Sequence, residues 1–277
     1  MEKVKAFRHK QDRSAEMSHR AQDHEDRLVS DLAGAVARGE IEAFYQPQVA
    51  VSTGAIVAVE SLSRWRHPEL GMQSPLVFIP IAEEFGLIDE IGGFMLDEAC
   101  RCATELASRN ITVDVAVNVS ALQLGRASFF DRIEGLLDEC EFEQEHLTLE
   151  ITESRLIANR PQVSERLAVL RQQGVGVSID DFGVGHSSVE QVLALPANEL
   201  KIDRTVVQDD AATGGALLAT IVRLARDRGL RTVAEGVETP AQFERVRAIG
   251  CDRAQGYLFG MPMPLDELDE LLATRFG

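Results

Sequence analysis

Seven short apolar segments of this chain stop on a carboxylate, an amide or an ammonium group. They are IVAVE ending at Glu60, DVAVN at Asn118, LTLE at Glu150, VSID at Asp180, ELK at Lys201, RTVAE at Glu235 and DRAQ at Gln255. A single acidic strand end is an ordinary turn residue or helix cap. A series of them, far apart along the chain, points instead to one polar site assembled from many strands. That is the arrangement at the C-terminal mouth of a β/α barrel.

The order of elements supports this. Strand-like patterns occur at IEAFYQPQV, AIVAVESLSRW, VDVAVNV, LTLEIT, GVSIDD, ELKID, RTVAEG and DRAQGY. Helical patterns separate most of them: FMLDEACRCATELASR, FFDRIEGLLDEC, PQVSERLAVLRQQG, SSVEQVLAL, GALLATIVRLARDRG and PAQFERVRAIG, with PLDELDELLATRFG last. Strands alternating with helices imply crossovers and a mainly parallel sheet. The first two strands are joined only by a short stretch around AVSTG, which suits a hairpin. The expected fold class is therefore α/β, a modified (β/α)8 TIM-like barrel with one antiparallel strand. The competing doubly wound sheet lacks support, because GVGHSS does not carry the G-x-G-x-x-G spacing. Residues 1–26 read as a polar lead-in or linker and 27–277 as one domain, whose first helix runs through LVSDLAGAVARG to a stop at Gly39.

With 277 residues and 45% hydrophobic content, the chain can bury a substantial core. Its formal net charge of −17 argues against binding long nucleic acid, which needs a cationic surface. A small phosphorylated ligand is compatible with an acidic site when divalent cations lie between the two. No apolar run reaches the roughly 18 residues of a membrane span, and no secretory signal follows the basic N-terminus. The expected location is the cytoplasm, with Cys100, Cys102, Cys140 and Cys251 reduced and serving as packing residues.

Glu60, Asn118, Glu150 and Asp180 offer hard oxygen donors, which Mg²⁺ and Mn²⁺ prefer. Asp181, on the opposite side of the backbone or in the following loop, is placed to serve a second ion. Two cations roughly 3.5–4 Å apart can clamp the attacking and leaving oxygens of a phosphodiester displacement. Lys201 is costly to bury unpaired. It either stabilises developing charge and orients a water, or forms a rim salt bridge with Asp203 or Glu199. Glu235 is a candidate general base or ligand of the second metal, and Gln255 either contacts a nucleobase edge or an ordered water, or is a turn residue.

The segments FYQPQVAVSTGAIVAVESLSRWRHPELG, PLVFIPIAEEFGLIDEIG, VNVSALQL, LEITES, IDDFGVGHSS, LKIDR, VAEGVET and QGYLFGMPMP resemble, in that order, the EAL-domain cyclic di-GMP phosphodiesterases. The resemblance implies hydrolysis of cyclic di-GMP to linear pGpG with two Mg²⁺ or Mn²⁺ ions, and inhibition by Ca²⁺. It implies Glu60, Asn118, Glu150 and Asp180 as ligands of one metal, Asp181 as a ligand of the other, and Glu235 as base or bridging carboxylate. It implies Lys201 as the residue positioning the hydrolytic water, with Glu153 and Asp203 as supporting acids. Arg64, Leu62, Gln255 and Glu238 fall at substrate-binding or supporting positions. It also implies a homodimer, with sensor domains or partner proteins acting through the N-terminus.

The name-giving triplet departs from the family as Glu60-Ser61-Leu62. A loop that in the family couples the metal site to the dimer interface reads Asp181-Phe182-Gly183-Val184-Gly185-His186-Ser187, with Val184 for a hydroxyl residue and His186 for an aromatic. The rival reading is a silent or weakly active cyclic di-GMP receptor that signals through loop 181–188.

Overall fold

The computed structural model describes residues 26–139, 142–152, 160–183 and 195–276. The chain divides into two compact units, one of residues 1–42 and 64–91 and one of residues 43–63 and 92–277.

The second unit contains the barrel. Eight strands form a ring: β1 (Ile41–Ala50), β2 (Ile56–His67), β4 (Asp114–Asn118), β5 (Leu147–Thr152), β6 (Gly176–Phe182), β7 (Glu199–Ile202), β8 (Arg231–Ala234) and β9 (Arg253–Gln255). Around the ring the order is β1-β9-β8-β7-β6-β5-β4-β2, and a β1–β2 pairing closes it. β1 runs antiparallel to β9, whereas each neighbouring pair from β2 through β4 to β9 is parallel. The hairpin is tight, with Ala50 and Ala55 joined by a backbone hydrogen bond of 2.8 Å. All eight expected strands are present, including the antiparallel one.

Strand alternation divides the side chains into two sets. Val115, Val117, Leu147, Leu149, Val177, Ile179, Leu200 and Ile202 are buried on the face toward the helices. There they join Leu96, Cys102 and Leu106 of helix Ile88–Ser108, Phe130 and Ile133 of helix Ala127–Glu139, and Leu218 and Val222 of helix Ala212–Asp227. The other set, including Ala116, Thr148 and Ser178, is small or polar, unlike the branched filling common in such barrels. Cys100, Cys102 and Cys251 are buried, as expected of packing residues. Cys140 lies outside the described residues. Among the described residues no helix is long and apolar enough to cross a membrane.

A partly buried ion network lies on and just before the first halves of the barrel strands, away from their C-terminal ends. Arg253 contacts Asp114 at 2.5 Å and Glu199 at 3.5 Å, Arg231 contacts Glu199 at 2.6 Å, and His146 contacts Asp114 at 2.9 Å. Burial opposes ionisation of Asp114, but Arg253, His146 and Arg231 hold its carboxyl below the usual range. An acid with a lowered folded pKa stabilises the fold above its unfolded pKa of about 4, and that contribution fades as pH falls through the folded value. Asp114→Asn is expected to cost about 3 kcal/mol at pH 7. The urea midpoints of variant and parent should converge as pH falls toward about 3. A gap that persists unchanged would remove this role from Asp114.

The first unit holds a helix over residues 26–32, the far end of β2, β3 (Gly71–Gln73) and helix Pro75–Glu84. The expected helix to Gly39 ends early, because Gly34 takes a left-handed φ of 71° and turns replace the helix from residue 33. Neither β3 nor helix Pro75–Glu84 was expected. β3 is only three residues long, pairing antiparallel with β2 from Trp65↔Gln73 to His67↔Gly71. The helix is apolar on most sides and carries Pro80 internally, so it lacks the usual stripe. Ser74 and Pro75 nonetheless start it, the Ser74 hydroxyl accepting from the Leu76 N–H.

Candidate active site

The C-terminal strand ends converge on Lys201, which is 1% exposed. Its Nζ lies 2.8 Å from Glu150 Oε2, 2.8 Å from Glu235 Oε1, 3.1 Å from Asp180 Oδ1 and 3.4 Å from Glu60 Oε2. Four strands thus deliver four carboxylates to one ammonium group supplied by a fifth. Among the described residues the Lys201 ion pairs are to these four carboxylates and not to Asp203 or Glu199, the rim alternative. Glu199 belongs to the ion network two residues earlier on the same strand.

Amide side chains complete this cluster. Asn118 donates to Glu60 Oε1 at 2.7 Å, and Gln255 donates to Glu60 Oε2 at 2.5 Å. Gln255 also donates to Gln46 Oε1 at 3.0 Å, while its own carbonyl accepts from Gln48 Nε2 at 2.9 Å. Gln48 and Gln255 are direct partners across the antiparallel β1–β9 pair. Gln255 is therefore part of the cluster and not a free turn residue. Gln46 and Gln48 were missed, although their spacing of two in YQPQV puts both on one strand face.

Asp180 and Asp181 are consecutive, so regular alternation would send them to opposite sides. A register shift between Ile179 and Phe182 interrupts the β6–β7 ladder, and Asp181 takes φ 58°. Such a bulge re-aims side chains, and Asp is among the few residue types that tolerate this backbone region. One carboxylate oxygen each from Asp180, Asp181 and Glu235 consequently lies within 4.8 Å of the other two, a set able to hold a metal ion.

The electrostatics are those of crowded acids beside one cation. Burial, reinforced by the Glu60 charge, raises Glu150 well above the usual carboxylate range. Desolvation also lifts the half-buried Glu235 to about 8, despite Lys201, and partial desolvation lifts the exposed Asp181 to about 6 with help from Asp180. Glu60 goes the other way: burial opposes ionisation, but Lys201 and the amide donors of Gln255 and Asn118 hold it low. Desolvation disfavours the Lys201 charge, yet Asp180, Glu150, Glu235 and Glu60 together keep it raised. Glu150 Oε1 is buried without a hydrogen-bond partner. An orphaned acceptor among oxygen donors whose negative charge exceeds the positive fits a hard divalent cation.

Asp203 caps helix Arg204–Val207, accepting from the Thr205 N–H at 2.7 Å, and its charge reaches Asp181. Glu238 is exposed in the loop after β8. Leu62 is half-buried on β2, two residues beyond Glu60; Arg64, also half-buried on that strand, belongs to the first unit. Phe182 is buried at the end of β6, followed by Gly183 at φ 110°. Glu153, Val184, Gly185, His186 and Ser187 lie outside the described residues.

Residues 29–262 match the EAL domain family model. The chain is 42% identical over 244 residues to the bifunctional diguanylate cyclase/cyclic di-GMP phosphodiesterase MucR of Pseudomonas aeruginosa, covering 87% of this chain but 36% of that protein. It is 36% identical over 238 residues to the cyclic di-GMP phosphodiesterase RocR of the same organism, covering 85% of this chain and 61% of that one. Among solved structures, the MucR phosphodiesterase in complex with cyclic di-GMP superposes with a TM-score of 0.83 at 42% identity. That match covers 87% of this chain and 99% of the other.

Proposed function

This chain belongs to the EAL-domain family, and from that premise we propose that it hydrolyses one phosphodiester bond of cyclic di-GMP to give linear pGpG. The observation that carries this reading is the buried group of four carboxylates on one lysine, with a fifth, Asp181, turned toward it. Such a group is poorly balanced for a purely structural role. The relatives and the solved complex, whose names specify this substrate, support the choice of ligand.

Glu60, Asn118, Glu150 and Asp180 are the residues that would hold one Mg²⁺ or Mn²⁺ ion, and Asp181 with Glu235 a second. Bound there, the cations would supply charge neutralisation at the phosphodiester and make water a stronger nucleophile at neutral pH. Glu235, 2.8 Å from Lys201 at the mouth of the barrel, is the carboxylate that takes the proton of the attacking water. Lys201 donates to that water or to the phosphoryl oxygens where negative charge builds. The water oxygen bonds to phosphorus, one bridging P–O bond breaks, and the departing sugar oxygen takes up a proton. Leu62, Gln255 and Glu238 are the residues of the barrel unit that the family resemblance places against the dinucleotide.

The working form in this reading is a cytoplasmic homodimer, on the strength of the family resemblance. Sensor domains or partner proteins act through the N-terminus in this reading; the chain spans about a third of the length of MucR. Hydrolysis should require Mg²⁺ or Mn²⁺, stop on chelation and be inhibited by Ca²⁺. The test is product formation by purified protein under those conditions, and turnover that continues undiminished in chelator would refute the metal assignment.

A further inference from the structure

The loop that carries Glu235 is held from a direction that no strand-end residue supplies. Glu235 N–H donates to Ile202 O at 3.1 Å, continuing the β7–β8 ladder, and Val237 N–H donates to Gln255 O at 3.0 Å. Between these anchors stands Gly236 at φ 65°. Glycine rotates more freely than any other residue, so the peptide after it is the pivot on which the course of the loop depends.

Gln208 holds that pivot. Its Nε2 donates to Gly236 O at 2.8 Å and to Glu238 Oε1 at 3.2 Å. The residue closes helix Arg204–Val207, its own N–H bonded to Arg204 O at 2.7 Å, and that helix begins immediately after β7 and Asp203. The helix also bears directly on the glycine, since a Cβ added at Gly236 would lie 2.4 Å from Arg204 Cβ. Arg245 ties the same segments together from beyond, contacting Val207 O and, at 2.8 Å, Asp210. The element following Lys201 and the loop following Glu235 are thus joined through one side-chain amide.

We propose that Gln208 is a positioning residue for Glu235 and Glu238, fixing the Gly236 peptide so that the Glu235 carboxylate stays 2.8 Å from Lys201. The proposal rests on the phosphodiesterase reading for its kinetic consequence. Its structural consequence stands apart from that reading. Gln208 touches neither the acid cluster nor a reacting atom, so its loss acts through geometry, where small misplacements reduce rate more than binding.

Gln208→Met keeps the length and removes the donors, whereas Gln208→Lys keeps a donor able to reach both oxygens. The methionine variant is expected to lower kcat about tenfold, with a smaller rise in KM for cyclic di-GMP through Glu238 and a melting temperature near that of the parent. In metal-free protein, amide exchange at Val237 and Glu238 should quicken. Gln208→Lys is expected to recover most of the rate and the protection. Parental turnover in Gln208→Met, unchanged exchange, or no recovery in Gln208→Lys would each overturn the proposal. Should the parent itself fail to cleave cyclic di-GMP, the phosphodiesterase reading falls, and unchanged exchange in Gln208→Met would then overturn the positioning role separately.

Discussion

Replacing Lys201 with methionine should destabilise the metal-free protein by about 3–5 kcal/mol at pH 8 and lower hydrolysis at least about a hundredfold. Methionine fills similar space, so the effect comes from charge. Glu60, Glu150, Asp180 and Glu235 all lie within 3.4 Å of Nζ, and without it they are buried acids facing one another. Burial already raises Glu150 and Glu235 in the presence of Lys201, and its removal raises them further. An acid whose folded pKa exceeds its unfolded value binds protons more readily in the folded state, so lowering pH favours folding. The variant should therefore regain stability as pH falls from 8 to about 5. Urea unfolding across that range checks this. A variant with the parental midpoint at pH 8 would show that the four carboxylates do not depend on their shared cation.

Glu235→Gln should lower turnover by about 10²–10⁴-fold and leave cyclic di-GMP affinity close to that of the parent. The amide has the same shape but cannot take a proton from water. Because three other carboxylates remain on Lys201 and two of them, Asp180 and Glu60, oppose the half-buried Glu235 charge, losing that charge should not weaken the fold, which separates this variant from Lys201→Met. Initial rates and calorimetric titration in Ca²⁺ provide the comparison. A variant retaining more than about a tenth of the parental rate would transfer the base role elsewhere.

Much of the barrel was legible because a buried parallel strand leaves a strong pattern, a short apolar run ended by a polar residue. All seven such runs became barrel strands beside the antiparallel β1, and Glu60, Asn118, Glu150, Asp180, Lys201, Glu235 and Gln255 meet where those runs end. The failures were local. LVSDLAGAVARG keeps an apolar stripe past Gly34, but a left-handed glycine stops the helix regardless of the stripe. Helix Pro75–Glu84 is too uniformly apolar to show a period, and β3 is too short. Asp181 was expected across the backbone or in the following loop, and a bulge with a positive φ brings one of its oxygens within 4.8 Å of those of Asp180 and Glu235.

The supporting polar residues were harder to see. Gln46, Gln48 and Gln208 are uncharged and carry no spacing that proclaims chemistry. Their importance comes from partners about 200 residues away for the first two and 28 residues away for Gln208. The ion network of Asp114, Glu199, Arg231 and Arg253 was hidden similarly, since each residue alone reads as a solvated strand start. The stretch from Val184 to Ser187, which departs from the family pattern, lies outside the described residues and remains an expectation of the sequence.

The central claim is that the acid cluster forms a metal-dependent phosphodiesterase site. The most direct measurement is chromatography of cyclic di-GMP incubated with purified protein in Mg²⁺ or Mn²⁺, alongside Glu60→Ala. The account predicts linear pGpG from the parent protein in at least one metal and none from Glu60→Ala. Intact cyclic di-GMP in both metals, in a protein that binds the ligand, would contradict it and leave a receptor in its place.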